Sequence, residues 1–119
     1  MLPQHERLKR KIDFDRLRQE GKRHNRRSLS LVVLRNNEPD RKAGFIVTKR
    51  LSKKAVVRNR IKRQMRAAYL LHRPHLKQGY LFLFIARQAA MDGSFIHLES
   101  QMKALLNEVE AIFPACIES

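Results

Sequence analysis

Tyr80–Ala86, YLFLFIA, is apolar at every one of its seven positions and shows no alternation. A strand exposed to water on one side alternates apolar with polar residues, so an unbroken apolar run of this length signals a strand covered on both faces. The fold therefore needs material above and below this segment. A helix is predicted on its C-terminal side over Ser94–Phe113, where Phe95, Leu98, Met102, Leu105, Val109 and Ile112 recur at helical spacing. On its N-terminal side, Val57, Ile61, Met65 and Ala68 fall on one arc of a helix from about Val56 to His72. Pro74 closes that helix by disfavouring helical geometry at Arg73.

Further upstream, Leu29–Arg35 (LSLVVLR) and Ala43–Thr48 (AGFIVT) are short runs rich in branched residues, separated by Asn36, Asn37, Pro39 and Asp40. They read as the two strands of an antiparallel hairpin. A first helix is expected over about Asp13–Glu20, with Asp13 as its cap, Phe14 and Leu17 on one face and Gly21 as its stop. Residues 1–10 are polar and basic and read as a loose arm that orders on binding. The order helix, strand, strand, helix, strand, helix suits an α+β sandwich in which about three helices pack on a small mixed sheet of the four-stranded type. At 119 residues with 43% apolar content, the chain suits a single domain, 1–119, with one modest core.

Charge narrows the function. The formal net charge is +15, which points to nucleic acid or an anionic surface. Met1–Arg27 carries ten Lys or Arg against four acids, whereas Gln88–Ser119 carries one lysine against five acids. The C-terminal element should therefore lie away from the basic surface. Within Lys49–Arg66, KRLSKKAVVRNRIKRQMR, nine cations (Lys49, Arg50, Lys53, Lys54, Arg58, Arg60, Lys62, Arg63 and Arg66) stand with no acid. Like charges four apart on a helix, such as Arg58, Lys62 and Arg66, repel by a few tenths of a kcal/mol per pair. A polyanion turns that cost into a gain, because each phosphate neutralised releases condensed counterions. Asn59, at the start of the basic helix, suits either capping or a hydrogen bond to a 2′-hydroxyl or base edge.

Catalytic chemistry is hard to place on the protein itself. Cys116 is the only cysteine, which excludes an intrachain disulfide and a CxxC metal site. The histidines are His5, His24, His72, His75 and His97. Of these, His72 and His75 flank Pro74, but no acid is near them in sequence to complete a ligand set or orient a base, so they read as surface residues of a basic loop. No constellation for general acid/base or metal catalysis emerges. The N-terminus lacks an apolar segment of signal-peptide length, and Tyr80–Ala86 is too short to span a bilayer. A cytoplasmic protein without membrane partners is expected.

The run Val57-Arg58-Asn59-Arg60-Ile61-Lys62-Arg63, preceded by Val47-Thr48-Lys49-Arg50, resembles the RNR signature of the bacterial ribonuclease P protein subunit. The surroundings are similar too. An early helix holds Asp13-Phe14 and stops at Gly21, a hairpin ends in GFIVTKR, and a strand ends in Ile85-Ala86-Arg87, so the likeness runs in order from about Leu8 to Phe113. The resemblance implies a ribosomal-protein-like fold with a left-handed βαβ crossover. It implies a role in removing the 5′ leader of precursor tRNA, with Mg²⁺-dependent phosphodiester hydrolysis performed by a catalytic RNA subunit that holds the metal. Arg58, Asn59, Arg60, Lys62, Arg63 and Arg66 would then face that RNA, with Lys49, Arg50, Lys53 and Lys54 extending the patch. Phe14, Arg18 and Arg87 would line a cleft for the leader, although Phe14 reads equally well as a core residue. Arg18 stands where the family often has an aromatic, and 51–54 lacks a glycine that many members have before the helix.

Composition alone is also satisfied by a structural RNA-binding protein of the ribosome or another ribonucleoprotein. A sequence-specific DNA binder fits less well, because arginines at every exposed angle of a helix favour backbone over base readout.

Overall fold

The computed structural model describes residues 4–35, 41–76, 78–91 and 94–109. Three helices, α1 (Lys11–Glu20), α2 (Ala55–His72) and α3 (Phe95–Glu108), pack on a four-stranded mixed sheet of β1 (Lys22–Asn25), β2 (Leu29–Arg35), β3 (Lys42–Ile46) and β4 (Tyr80–Ala86). The α+β class, the four-stranded mixed sheet and the predicted element order are present, with β1 as the strand that the element order did not place. The predicted bounds of β4 coincide with the observed ones.

The sheet order is β1-β2-β4-β3. β4 runs antiparallel to β2, from Leu29↔Ala86 to Arg35↔Tyr80, and parallel to β3, from Lys42↔Leu81 to Ile46↔Ile85. The expected hairpin between 29–35 and 43–48 is thus overturned: β4 lies between these strands. A fully apolar strand loses least water-exposed surface as an edge and gains most as a centre, and that preference outweighs pairing between sequence neighbours. The real hairpin joins β1 to β2, from Lys22↔Val33 to Asn25↔Ser30. The turn residues 36, 37, 39 and 40 lie outside the described residues, as do Ile112 and Phe113 of the predicted last helix.

The pleat divides β4 between two cores. Phe82, Phe84 and Ala86 face α2 and α3, where they meet Leu29, Leu31, Ile61, Met65, Tyr69, Leu98, Met102 and Leu105. Leu81 and Leu83 face the other way, onto Leu17 of α1 and Leu8. Phe45 stacks on Phe84 with ring centroids 5.8 Å apart, and Tyr69 meets both rings edge-on. Truncating a fully buried ring such as Phe84 to alanine costs about 3–5 kcal/mol. Gly79, with φ of 82°, supplies the left-handed turn into β4.

The N-terminal segment corrects a second expectation. Rather than a loose arm, residues 4–10 are held down: Arg7 bridges Ala43 in parallel, the Leu8 N–H donates to the Ala43 carbonyl at 3.0 Å, and Leu8 is buried. Glu6 is buried and accepts from Arg73 Nε at 2.7 Å and Nη2 at 2.5 Å, with Arg41 Nε at 3.7 Å. These hydrogen bonds, aided by the charges of Arg73 and Arg41 and opposed by burial, hold the Glu6 carboxyl below the ordinary carboxylate range. Asp13 is likewise not the cap of α1. Arg10 occupies that position, and Asp13, buried in the first turn, accepts from Arg10 Nε at 3.0 Å and Nη2 at 3.1 Å. An acid there is favoured by the positive end of the helix dipole as well as by its ion pair.

Candidate nucleic-acid interface

α2 carries its basic residues because its buried side is complete without them. Ile61, Met65, Ala68 and Tyr69 are fully buried, while Arg60, Arg63 and Arg66 are exposed and Arg58 and Lys62 half-buried. Lys49, Arg50, Lys53 and Lys54 are exposed on the connection from β3. Among the described residues none of these nine cations forms an ion pair. Two of them instead brace the backbone: Arg58 Nη1 donates to the Ser52 carbonyl at 2.9 Å, and Arg60 Nη2 donates to the Met91 carbonyl at 3.3 Å. The helix follows Lys54, which caps it with no side-chain bond, and has no acid in its first turn, so its positive dipole end adds to the same field. Asn59, expected at the start of the helix, sits at its fifth residue and is exposed; the capping role is overturned, and its amide is available to a ligand.

On the opposite face of the sheet, a cleft of about 360 Å³ opens between α1 and the strands. Leu17, Val32, Ile46, Leu83 and Ile85 make it apolar, Phe14 and Gly21 complete it, and Arg18 and Arg23 add two guanidiniums. Phe14 is half-buried, so its ring both packs on the second core and lines the opening. Arg18 is exposed, with only a 3.5 Å contact to Asp15. Arg23 was not foreseen because β1 itself was not. An aromatic ring, an apolar floor and flanking guanidiniums suit an unstacked base with its phosphate.

Arg87 is not part of that cleft. It lines a separate concavity at the end of the sheet with Asn25, Arg26, Arg27, Gln88, Ala89 and His97. A third opening, of about 360 Å³, brings Arg7 and Lys9 alongside Lys62 and Arg66, over Ala43, Gly44 and Phe45. The folded-back N-terminal segment explains that meeting, which sequence separation had concealed.

His72 also departs from expectation. It is buried where α2 meets α3, and its Nε2 lies 2.8 Å from Oε2 of Glu99, an acid brought from across the chain. Burial pushes the imidazole below its ordinary range, and Glu99 opposes that shift. His75 is exposed. The acids of α3 similarly meet basic partners: Glu108 lies 2.8 Å from His24 Nδ1 and 3.4 Å from Arg26 Nη2. Among the described residues no three His, Cys, Asp or Glu side chains gather to hold a metal ion. No helix among them is long and apolar enough to cross a membrane.

Comparison with known proteins adds an independent line. The family model described as Ribonuclease P matches residues 2–110. The chain is 36% identical over 115 residues to the ribonuclease P protein component of Microcystis aeruginosa, covering 93% of this chain and 96% of that one. It is 42% identical over 85 residues to the same component of Dictyoglomus turgidum, covering 71% of each. In structure it is similar to the Staphylococcus aureus RNase P protein, with a TM-score of 0.81, 27% identity and coverage of 90% of this chain and 97% of that one. The Thermotoga maritima RNase P protein shares the fold, with a TM-score of 0.77 at 22% identity.

Proposed function

The chain belongs to the ribonuclease P protein component family, and from that premise we propose that it binds a catalytic RNA subunit and the 5′ leader of precursor tRNA in the cytoplasm, assisting endonucleolytic removal of the leader. The RNA subunit carries the chemistry and holds the Mg²⁺ that hydrolysis requires. The protein supplies charge and position. Arg58, Asn59, Arg60, Lys62, Arg63 and Arg66, with Lys49, Arg50, Lys53 and Lys54, take the RNA subunit. Phe14 and Arg18 take the leader in the cleft beneath α1.

The observation that carries this reading is the acid-free cationic face of α2 and its preceding loop, which has no ion-pair partner among the described residues. A fold gains nothing by concentrating repelling charges unless a polyanion completes them. Two polyanions, RNA subunit and substrate, repel each other, and a strongly basic protein between them lowers that repulsion. On the cleft side, a base stacked on Phe14 is worth roughly 1–3 kcal/mol. The test is cleavage of a precursor tRNA at low Mg²⁺ by a bacterial ribonuclease P RNA, with and without the protein. Stimulated cleavage with correct 5′ ends, and none from protein alone, is the expected result. Tight RNA binding without stimulation would reassign the chain to a structural ribonucleoprotein.

A further inference from the structure

The β1–β2 connection is built with more care than a surface turn needs. The Arg26 N–H donates to the Leu29 carbonyl at 2.8 Å, which leaves a two-residue loop, Arg27–Ser28. Ser28 is buried, its carbonyl accepts from the Arg87 N–H at 2.8 Å, and its Oγ lies 2.6 Å from Nε2 of His97. Arg87 returns a second bond, Nη1 to the Arg26 carbonyl, at 2.8 Å. The hairpin tip is therefore tied to the end of β4 and to the start of α3.

These ties place the guanidiniums of Arg26, Arg27 and Arg87 around one open concavity of about 910 Å³, with His97 in its wall. Arg27 is exposed and has no side-chain partner among the described residues. Nothing in the packing calls for arginine there. The Arg60 bond to the Met91 carbonyl ties α2 to the turn that follows Arg87, whose first residues, Gln88 and Ala89, line the concavity. Unlike the cleft beneath α1, its wall has no apolar strand residues and only one ring, His97, already engaged by Ser28. It suits phosphates rather than bases. Arg87, bonded to the Arg26 carbonyl, and Arg26, 3.4 Å from Glu108, lose little freedom on binding and favour a backbone of defined geometry, while the unpartnered Arg27 is the guanidinium most open to a phosphate.

We propose that the Arg26–Arg27 hairpin tip and Arg87 form a second contact for the RNA subunit, holding adjacent phosphates of its folded backbone, distinct from the leader cleft. The inference rests on the proposed function and extends the RNA surface around the end of the sheet from α2.

The test uses the full chain and a bacterial ribonuclease P RNA without substrate, with affinity measured across a salt series for wild type, Arg27→Ala, Arg27→Lys and Arg27→Glu. Arg27→Ala should weaken binding roughly three- to tenfold at low salt and flatten the log–log salt slope by about 0.7–0.9, the loss of one phosphate contact. Arg27→Lys should keep the wild-type slope, and Arg27→Glu should bind more weakly than Arg27→Ala. With each assembled enzyme, the ratio of affinities for precursor tRNA with and without a leader should stay at its wild-type value. Wild-type affinity and slope in both Arg27→Ala and Arg27→Glu would overturn the inference while leaving the function reading intact. A changed leader ratio with unchanged RNA-subunit affinity would overturn it in favour of a leader site. Failure of the wild-type chain to bind the RNA would overturn the function reading, and this inference with it.

Discussion

Salt is the sharpest probe of the α2 surface. Of the nine cations between Lys49 and Arg66, Arg58 and Arg60 are committed to backbone carbonyls. The other seven (Lys49, Arg50, Lys53, Lys54, Lys62, Arg63 and Arg66) have no side-chain partner among the described residues. If all seven meet phosphates, the slope of log affinity against log salt is about −5 to −6, at roughly 0.7–0.9 per contact. Raising monovalent salt from about 50 to 200 mM should then weaken RNA-subunit binding by about 10³–10⁴. Filter binding at fixed Mg²⁺ measures this directly. Arg63→Ala, at an exposed position with no internal bond to lose, should flatten the slope by about 0.7–0.9 at unchanged thermal stability. A wild-type slope no steeper than about −2 would refute the reasoning, since it would leave most of this face without phosphate contacts.

Two further predictions concern what holds the sites in place. A Cβ added at Gly21 would stand 2.5 Å from the Leu17 carbonyl oxygen and 2.7 Å from Val32 Cγ1. Gly21→Ala should therefore cost about 1–3 kcal/mol, read as a lower urea midpoint at unchanged m-value, and should disturb the cleft that Gly21 lines. Glu6 has a folded pKa below its unfolded value, so its contribution is fully present above the ordinary carboxylate range and is lost as pH falls below about 4.5 through the folded value. Glu6→Gln should remove about 1–3 kcal/mol at neutral pH, discounted because Arg73 is about one-third exposed, and should flatten the acid limb of a thermal-unfolding series. An unchanged melting temperature would show that the pair does not anchor the N-terminal segment.

What was legible in the chain follows physical rules. YLFLFIA marks a central strand because burial on both faces leaves no polar position, and the helical spacing of Val57, Ile61 and Met65 marks a packed face for the same reason. β1, with sequence KRHN, has no apolar residue; it exists through its ladder to β2 and leaves no trace in hydrophobic pattern. Hairpin logic weighs neighbours in sequence and so gives the wrong strand order, whereas the centre of the sheet goes to the segment that buries most. The cationic face of α2 was visible residue by residue. The pairs His72–Glu99, Glu6–Arg73 and His24–Glu108 were not, since each depends on which elements meet. The family resemblance groups Arg87 with Phe14 and Arg18, but the sheet end carries it to the β1–β2 hairpin instead.

The central claim is a division of labour: α2 holds the RNA subunit and the α1 cleft holds the leader. It is tested most directly by measuring two affinities for Arg63→Ala and Phe14→Ala, one for the RNA subunit alone and one for precursor tRNA with and without its leader by the assembled enzyme. The account predicts that Arg63→Ala weakens only the first. Phe14→Ala should leave the first unchanged and reduce the leader-dependent gain by about 5- to 150-fold, the equivalent of one stacked base. Equal losses in both affinities from both variants would contradict it.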